Sequence, residues 1–125
     1  MTFIDTNYII RYLMNDNEEM ANIAEEVLTS QNVYISNEVL AEVVYVLIGV
    51  YEISKEEVSD MLILLLSSNN ITTLDEELVN KALAIFKEKN LDFVDCLLCA
   101  YSSNNTIKTF DKKLLKCIEN RKKDL

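Results

Sequence analysis

Residues 2–14 read TFIDTNYIIRYLM, and the fold is decided by the pattern that starts here. A short apolar run, Thr2–Ile4, ends at an acid, Asp5, which is typical of a buried strand. From Asn7 to Met14 the apolar side chains recur at helical spacing, which predicts an amphipathic helix. A strand followed directly by a helix is the unit from which α/β domains with parallel sheets are built.

The same alternation continues along the chain. Further strands are predicted at Val33–Ile35, Ile71–Thr73 and Ile107–Phe110. Further helices are predicted at Glu18–Ser30, Glu38–Tyr51, from a Ser54 cap to about Leu66, Glu76–Lys89, Phe93 to about Ser103, and Lys112–Lys122. The 125 residues include no proline and one glycine, so few positions interrupt helices. We therefore expect one α/β domain over residues 1–125, with a parallel sheet flanked by helices.

The cysteines and the N-terminus suggest where the protein resides. There are three cysteines, an odd number, and the N-terminus lacks the basic start of a signal peptide. The longest apolar runs, around Val43–Val50 and Met61–Leu66, are too short to span a bilayer. We therefore expect a cytoplasmic protein with reduced thiols and no membrane association.

Cys96 and Cys99 have the spacing of a Cys-x-x-Cys motif, but their context argues against a redox or zinc site. They lie inside an apolar helix, no second pair accompanies them, and the chain has no histidine. We therefore predict that they are small buried core residues. Cys117 has no visible partner in the sequence.

The net charge of −9 restricts the ways in which this chain could bind nucleic acid. Phosphate contacts come from lysine and arginine, so an acidic nucleic-acid enzyme needs metal ions or a local basic patch. Seven of the 12 basic residues follow residue 105, where only three acids occur. They are Lys108, Lys112, Lys113, Lys116, Arg121, Lys122 and Lys123. This basic tail is either a phosphate-binding patch or a solvated helix end with favourable charges.

Four acids are candidates for a shared site. Asp5 and Asp111 both fall where a predicted strand ends and a helix begins, and ligands of parallel sheets bind outside these carboxyl ends. Asp95 lies in the first turn of its helix, which commonly faces the same edge. Glu42 lies on a narrow polar stripe of an otherwise apolar helix. Converging carboxylates need a cation, and hard oxygen ligands suit Mg²⁺ or Mn²⁺, which can activate water for attack on a phosphodiester.

Each of these acids also has a plain structural explanation. Asp5 and Asp111 could be ordinary helix N-caps, a common role of aspartate, and Asp92 fits a cap better than a ligand. Asp95 could be a favourable charge in a first helical turn. Glu42 could simply solvate its polar stripe. Spacing and composition alone leave both explanations open.

The order and surroundings of these acids resemble the PIN domain family, and within it the VapC-type toxins of VapBC toxin–antitoxin systems. Four pieces carry the resemblance, in the family's order and over essentially the whole chain. They are FIDTNYIIRYL (residues 3–13), ISNEVLAEVVYVL (35–47), LDFVDCLLCA (91–100) and TFDKKL (109–114). Where the family often has proline, this chain has Ser36 or Asn37.

The resemblance implies a three-layer sandwich around a parallel sheet of four or five short strands. It also implies a Mg²⁺- or Mn²⁺-dependent endoribonuclease, with Asp5, Glu42, Asp95 and the more variable Asp111 as its acids. Asp92 lies just before the third of these acids. Asn7 and Thr109 match positions that often support the acidic cluster. RNA as substrate, a homodimer and a cognate antitoxin are implied as well.

Two other hypotheses differ in class. The chain could keep the fold but act as a non-catalytic protein-interaction module, which its negative charge favours and its retained acids oppose. It could also be a phosphatase with Asp5 as nucleophile. That reading ranks last, because position 7 is asparagine and not a second aspartate.

Overall fold

The protein is described here by a computed structural model, in which residues 1–123 are described. The chain divides into two compact units, the first being Met1–Glu76 and the second beginning at Glu77. Within the described residues, no helix combines the length and the apolar character needed to cross a bilayer.

The first unit contains a three-stranded parallel sheet and four helices. Its strands are β1 (Thr2–Phe3), β2 (Val33–Tyr34) and β3 (Ile71–Thr72). Its helices are α1 (Thr6–Met14), α2 (Glu18–Ser30), α3 (Asn37–Gly49) and α4 (Lys55–Leu66). The strand order is β1-β2-β3, with Thr2 paired to Val33 and Val33 paired to Ile71. The parallel α/β arrangement predicted from the sequence is therefore confirmed.

Local side chains start each helix of this unit, and apolar side chains hold it in place. The N-caps accept hydrogen bonds from the third backbone N–H that follows, and they are Asp5, Asn17, Ser36 and Ser54. On α3 the fully buried Leu40, Val43 and Leu47 recur at helical spacing. Burying each side chain of this kind contributes about 1.5–3 kcal/mol. These helices therefore form a firm support for the residues at their ends.

The second unit is helical. It comprises α5 (Glu76–Glu88), which begins at the boundary, α6 (Phe93–Tyr101) and α7 (Lys112–Lys123). Phe86 of α5 and Phe93 of α6 are buried and meet edge to face, with ring centroids 5.9 Å apart. This geometry is favourable for aromatic rings and adds to the burial itself.

The fourth predicted strand, Ile107–Phe110, is not a strand in the structure. The described sheet has three strands, fewer than the four or five expected. Ile107 and Thr109 are half-buried, whereas Lys108 and Phe110 are exposed, so the alternation that suggested a strand is real. Side-chain alternation does not supply backbone partners, however, and a strand requires them.

A disulfide joins Cys99 of α6 to Cys117 of α7, with the Cα atoms 6.2 Å apart. The burial of Cys96 and Cys99 is confirmed, and Cys96 lies outside the disulfide. The expectation of reduced thiols, with no partner for Cys117, is wrong for this pair. The packing of α6 on α7 brings two cysteines 18 positions apart to within bonding distance, a tertiary contact that sequence spacing does not reveal.

Candidate active site

A cleft of about 460 Å³ lies in the first unit, between α1 and α3. Its lining comes from the two helices and the residues at their ends: Asp5, Thr6, Asn7, Ile10 and Arg11 on one side, and Val39, Glu42, Val46, Val50 and Tyr51 on the other. On α1, Ile10 and Arg11 follow Asn7 by three and four positions, and on α3 Val39, Glu42 and Val46 recur at intervals of three or four. Each helix therefore presents one face to the cleft. Two of the predicted acids, Asp5 and Glu42, therefore line a single cavity. Asn7, expected to support them, lines it as well.

Asp5 combines a structural role with an open coordination position. It is the N-cap of α1, and its Oδ1 accepts a hydrogen bond from the backbone N–H of Tyr8 at 3.1 Å. The second carboxylate oxygen has no hydrogen bond within the described residues, and the side chain is exposed. Cap and ligand are therefore compatible roles for Asp5. Glu42 is likewise exposed, on the face of α3 that lines the cleft.

Two acids of the second unit influence a third, Asp95. Asp95 is half-buried, and loss of hydration raises its pKa above the ordinary value for aspartate. The negative charges of Asp92 and Asp111 raise the pKa of Asp95 further. Asp92 and Asp111 therefore both lie within the range at which their charges act on Asp95.

Two of these acids are helix N-caps. Asp92 accepts the backbone N–H of Asp95 at 2.9 Å and begins α6. Asp111 accepts the backbone N–H of Leu114 at 2.9 Å, ahead of α7. Thr109 accepts the backbone N–H of Asp111 at 3.0 Å and so steadies the turn that carries it. Thr109 therefore supports an acid through a hydrogen bond to its backbone.

The PIN domain family matches residues 2–117. The chain belongs to the PIN domain family. Comparison with curated proteins gives no match, and comparison with solved structures gives none either. PIN domains are typically nucleases, and PIN nucleases generally use divalent metal ions and bind RNA.

The acids of this PIN domain have the right chemistry for a divalent ion. All are carboxylates, the hard ligands that Mg²⁺ and Mn²⁺ prefer. Asp5 keeps one oxygen uncommitted, and a cation would offset the lost hydration and the like charges that together raise the pKa of Asp95. Within residues 1–123, however, no three acids or cysteines are grouped closely enough to hold an ion together. The donor chemistry fits a metal, while the described arrangement is not a closed coordination shell.

Two residues that line the cleft of this PIN domain, Arg11 and Tyr51, are joined through Asp16 in a network that the sequence does not single out. Nη1 of Arg11 lies 2.9 Å from Oδ1 of Asp16, and the hydroxyl of Tyr51 donates to Oδ2 of Asp16 at 2.6 Å. The bond from Tyr51, followed by that from Arg11, lowers the pKa of Asp16, while Asp16 raises the pKa of Tyr51. The sequence does indicate that Arg11 faces the same side of α1 as Asn7, because the two are four positions apart on this helix.

The basic tail predicted from the sequence is exposed. Its lysines, Lys108, Lys112, Lys113, Lys116, Lys122 and Lys123, are all accessible to solvent. Arg121 is half-buried and donates from Nη2 to the hydroxyl of Ser103 at 2.8 Å. Arg121 therefore has a structural role in the second unit, whereas the lysines offer positive charge to a partner or to solvent.

Proposed function

We propose that this protein is a Mg²⁺- or Mn²⁺-dependent endoribonuclease that cleaves RNA phosphodiesters by activated water. The observation that carries the proposal is the placement of Asp5 and Glu42 in one cleft of a chain that belongs to a family of nucleases. In this proposal Asp5, Glu42 and Asp95 hold the ion, and Asp111 completes the ligand set or orients water. Residues 1–125 act as a single PIN domain.

The chemistry is divided between the ion and the chain. A bound divalent cation lowers the pKa of water and neutralises the charge that develops on the phosphate. The carboxylates provide the negative charge that retains the cation, and the α1 cap bond fixes the direction of Asp5. The absence of histidine removes the commonest general base, which is consistent with a mechanism that relies on the acids and the ion.

Cleavage of single-stranded RNA by the purified protein in Mg²⁺ or Mn²⁺ tests the proposal. Asp5→Asn keeps a good N-cap but removes the charge, so we expect the fold to persist and activity to fall about 100-fold or more. Glu42→Gln should have a similar effect. Glu25→Gln, on the exposed side of α2, is the matched control and should cleave like the wild type. Intact RNA with folded wild-type protein in both ions would contradict the proposal.

We also propose that this nuclease is the toxin of a type II toxin–antitoxin pair, a cytoplasmic homodimer held inactive by a cognate antitoxin. The motif resemblance to VapC-type toxins supports this role. Induced expression of the wild type should arrest growth, expression of Asp5→Asn should not, and the product of an adjacent small reading frame should restore growth. Normal growth with abundant wild-type protein would argue against a toxin.

A second candidate function is a non-catalytic PIN-fold interaction module. Two observations favour it: no three potential ligands are grouped within residues 1–123, and the net charge is −9. A Mn²⁺ titration separates the two candidates. Relaxation broadening of signals from Asp5 and Asp95 supports the nuclease, and signals unaffected by Mn²⁺ support the module.

A further inference from the structure

We propose that Arg11 binds a backbone phosphate of single-stranded RNA in the α1–α3 cleft, and that Asp16 and Tyr51 are positioning residues that hold its guanidinium in place. This inference rests on the proposed ribonuclease function. It assigns a substrate-binding role to a cation that lines the same cleft as Asp5 and Glu42.

The cleft has a carboxylate end and a guanidinium end. Asp5 precedes α1 and Asp16 follows it, while Tyr51 follows α3. Since the Tyr51 hydroxyl donates to Asp16, the C-terminal ends of α1 and α3 lie together. Arg11 is six positions after Asp5 along α1, which corresponds to about 9 Å along the helix axis. A strand with one phosphate at the carboxylate end could therefore present a neighbouring phosphate to Arg11.

Asp16 holds the guanidinium of Arg11 but leaves some of its N–H donors without an acceptor in the described part of the chain. Asp16 contacts the guanidinium through Oδ1 only, and Oδ2 of Asp16 accepts the hydroxyl of Tyr51 instead. The two-pronged pairing that arginine forms with carboxylates is therefore incomplete, and the Nη2 amino group has no hydrogen bond within the described residues. Nε of Arg11 is buried and likewise lacks a partner there. The buried Nε is not open to a ligand, so the Nη2 amino group is the donor for which a phosphate oxygen is a natural acceptor.

The backbone next to Tyr51 is strained. Within residues 1–123, two non-glycine residues have a positive φ, Asn15 at 51° and Glu52 at 56°. Asn15 directly precedes Asp16, and Glu52 directly follows Tyr51. Asparagine tolerates this conformation and Asn15 is the C-cap of α1, whereas glutamate rarely adopts it. Strain of this kind concentrates where a chain positions functional groups, and here it lies next to Tyr51, which holds Asp16.

The competing explanation is that Arg11 and Asp16 form an ordinary surface ion pair. In that case the loss of Arg11 should leave KM for RNA unchanged, whereas the loss of a phosphate contact should raise it. Arg11→Ala should raise KM for single-stranded RNA about tenfold and change kcat little, because a phosphate contact away from the cut positions the strand. The dependence of binding on salt should weaken by about one phosphate contact. Asp16→Asn keeps the charge of Arg11 but removes the carboxylate that holds its guanidinium in place. We therefore expect kcat/KM to fall, while the dependence of RNA binding on salt remains that of the wild type. Lys81→Ala, which removes an exposed cation of α5, is the matched control. It should change neither KM nor the dependence of RNA binding on salt.

A second measurement does not depend on how the variants fold. The chain has two arginines, Arg11 and Arg121, so phenylglyoxal labelling followed by peptide mass mapping reports on each. In the Asp5→Asn protein, a 12-nucleotide RNA should protect Arg11 and leave Arg121 as reactive as before. Equal labelling of Arg11 with and without RNA would overturn the inference.

The outcomes also separate this inference from the ribonuclease proposal. Wild-type cleavage together with an unchanged KM in Arg11→Ala overturns the role of Arg11 alone, leaving Arg11 as a structural ion pair or a contact for a protein partner. Wild-type protein that neither cleaves nor binds RNA overturns both. A raised KM with Arg11 protected supports both.

Discussion

A single aspartate can both begin a helix and bind a cation, because a cap bond needs only one of its two oxygens. Asp111 accepts the backbone N–H of Leu114 through Oδ1, and Asp5 accepts that of Tyr8 in the same manner. The sequence predicts both roles at each position and cannot choose between them, since strand-end aspartates look alike whether or not a ligand binds. Substitution can separate the roles, because asparagine caps a helix about as well as aspartate but lacks the charge.

Asp111 is therefore tested by a pair of variants. Asp111→Ala removes the cap of α7, and we expect it to lower the free energy of unfolding by about 1 kcal/mol. Asp111→Asn should keep that stability but reduce RNA cleavage if the carboxylate serves the metal site. Urea denaturation and cleavage rates measured on both proteins decide the matter. Full activity in the asparagine variant would make Asp111 a cap and nothing more.

At the scale of elements, the sequence predicts the helices of this chain far better than its strands. Glu18–Ser30 is correct at both ends, because Asn17 caps it and its apolar residues keep helical spacing. Residues 107–110 fail, because a strand depends on a distant backbone partner that its own residues do not specify. The residues of the candidate site likewise fall into those that the sequence predicts and those that only the structure reveals. The acids are visible in the motifs, whereas the Asp16–Tyr51 hydrogen bond spans 35 positions and needed the structure.

The disulfide between α6 and α7 should contribute measurably to stability. Closing a loop across 18 positions restricts the unfolded chain and is worth about 3 kcal/mol. We expect dithiothreitol to lower the urea midpoint of the wild type, and Cys99→Ser to show that lower midpoint with or without reductant. Cys96→Ala, which leaves the pair intact, should keep the response to reductant. A wild-type midpoint that reductant does not change would mean that the pair is not oxidised in the isolated protein.

At the scale of the whole molecule, charge is the main obstacle to binding RNA. A net charge of −9 repels a polyanion at long range, so the cations that meet phosphate must act locally. In the first unit Arg11 is the cation that we propose for this role, and in the second unit the exposed lysines of the tail are candidates for it. The sequence alone reveals the tail, because its charge is clustered along the chain. The importance of Arg11 emerges only when the cleft is known.

The lysines of the tail can be separated from those elsewhere by their effect on the salt dependence of RNA binding. Each phosphate contact to single-stranded RNA contributes about 0.7 to the slope of log affinity against log salt. Replacing Lys112, Lys113 and Lys116 together with glutamine should therefore reduce the slope by about two, as measured by fluorescence anisotropy with a labelled RNA. The matched triple replacement of Lys81, Lys87 and Lys89 removes the same charge from α5 and its end, and should leave the slope close to that of the wild type. Equal slopes for the two triple variants would mean that the tail acts through net charge alone and makes no phosphate contacts of its own.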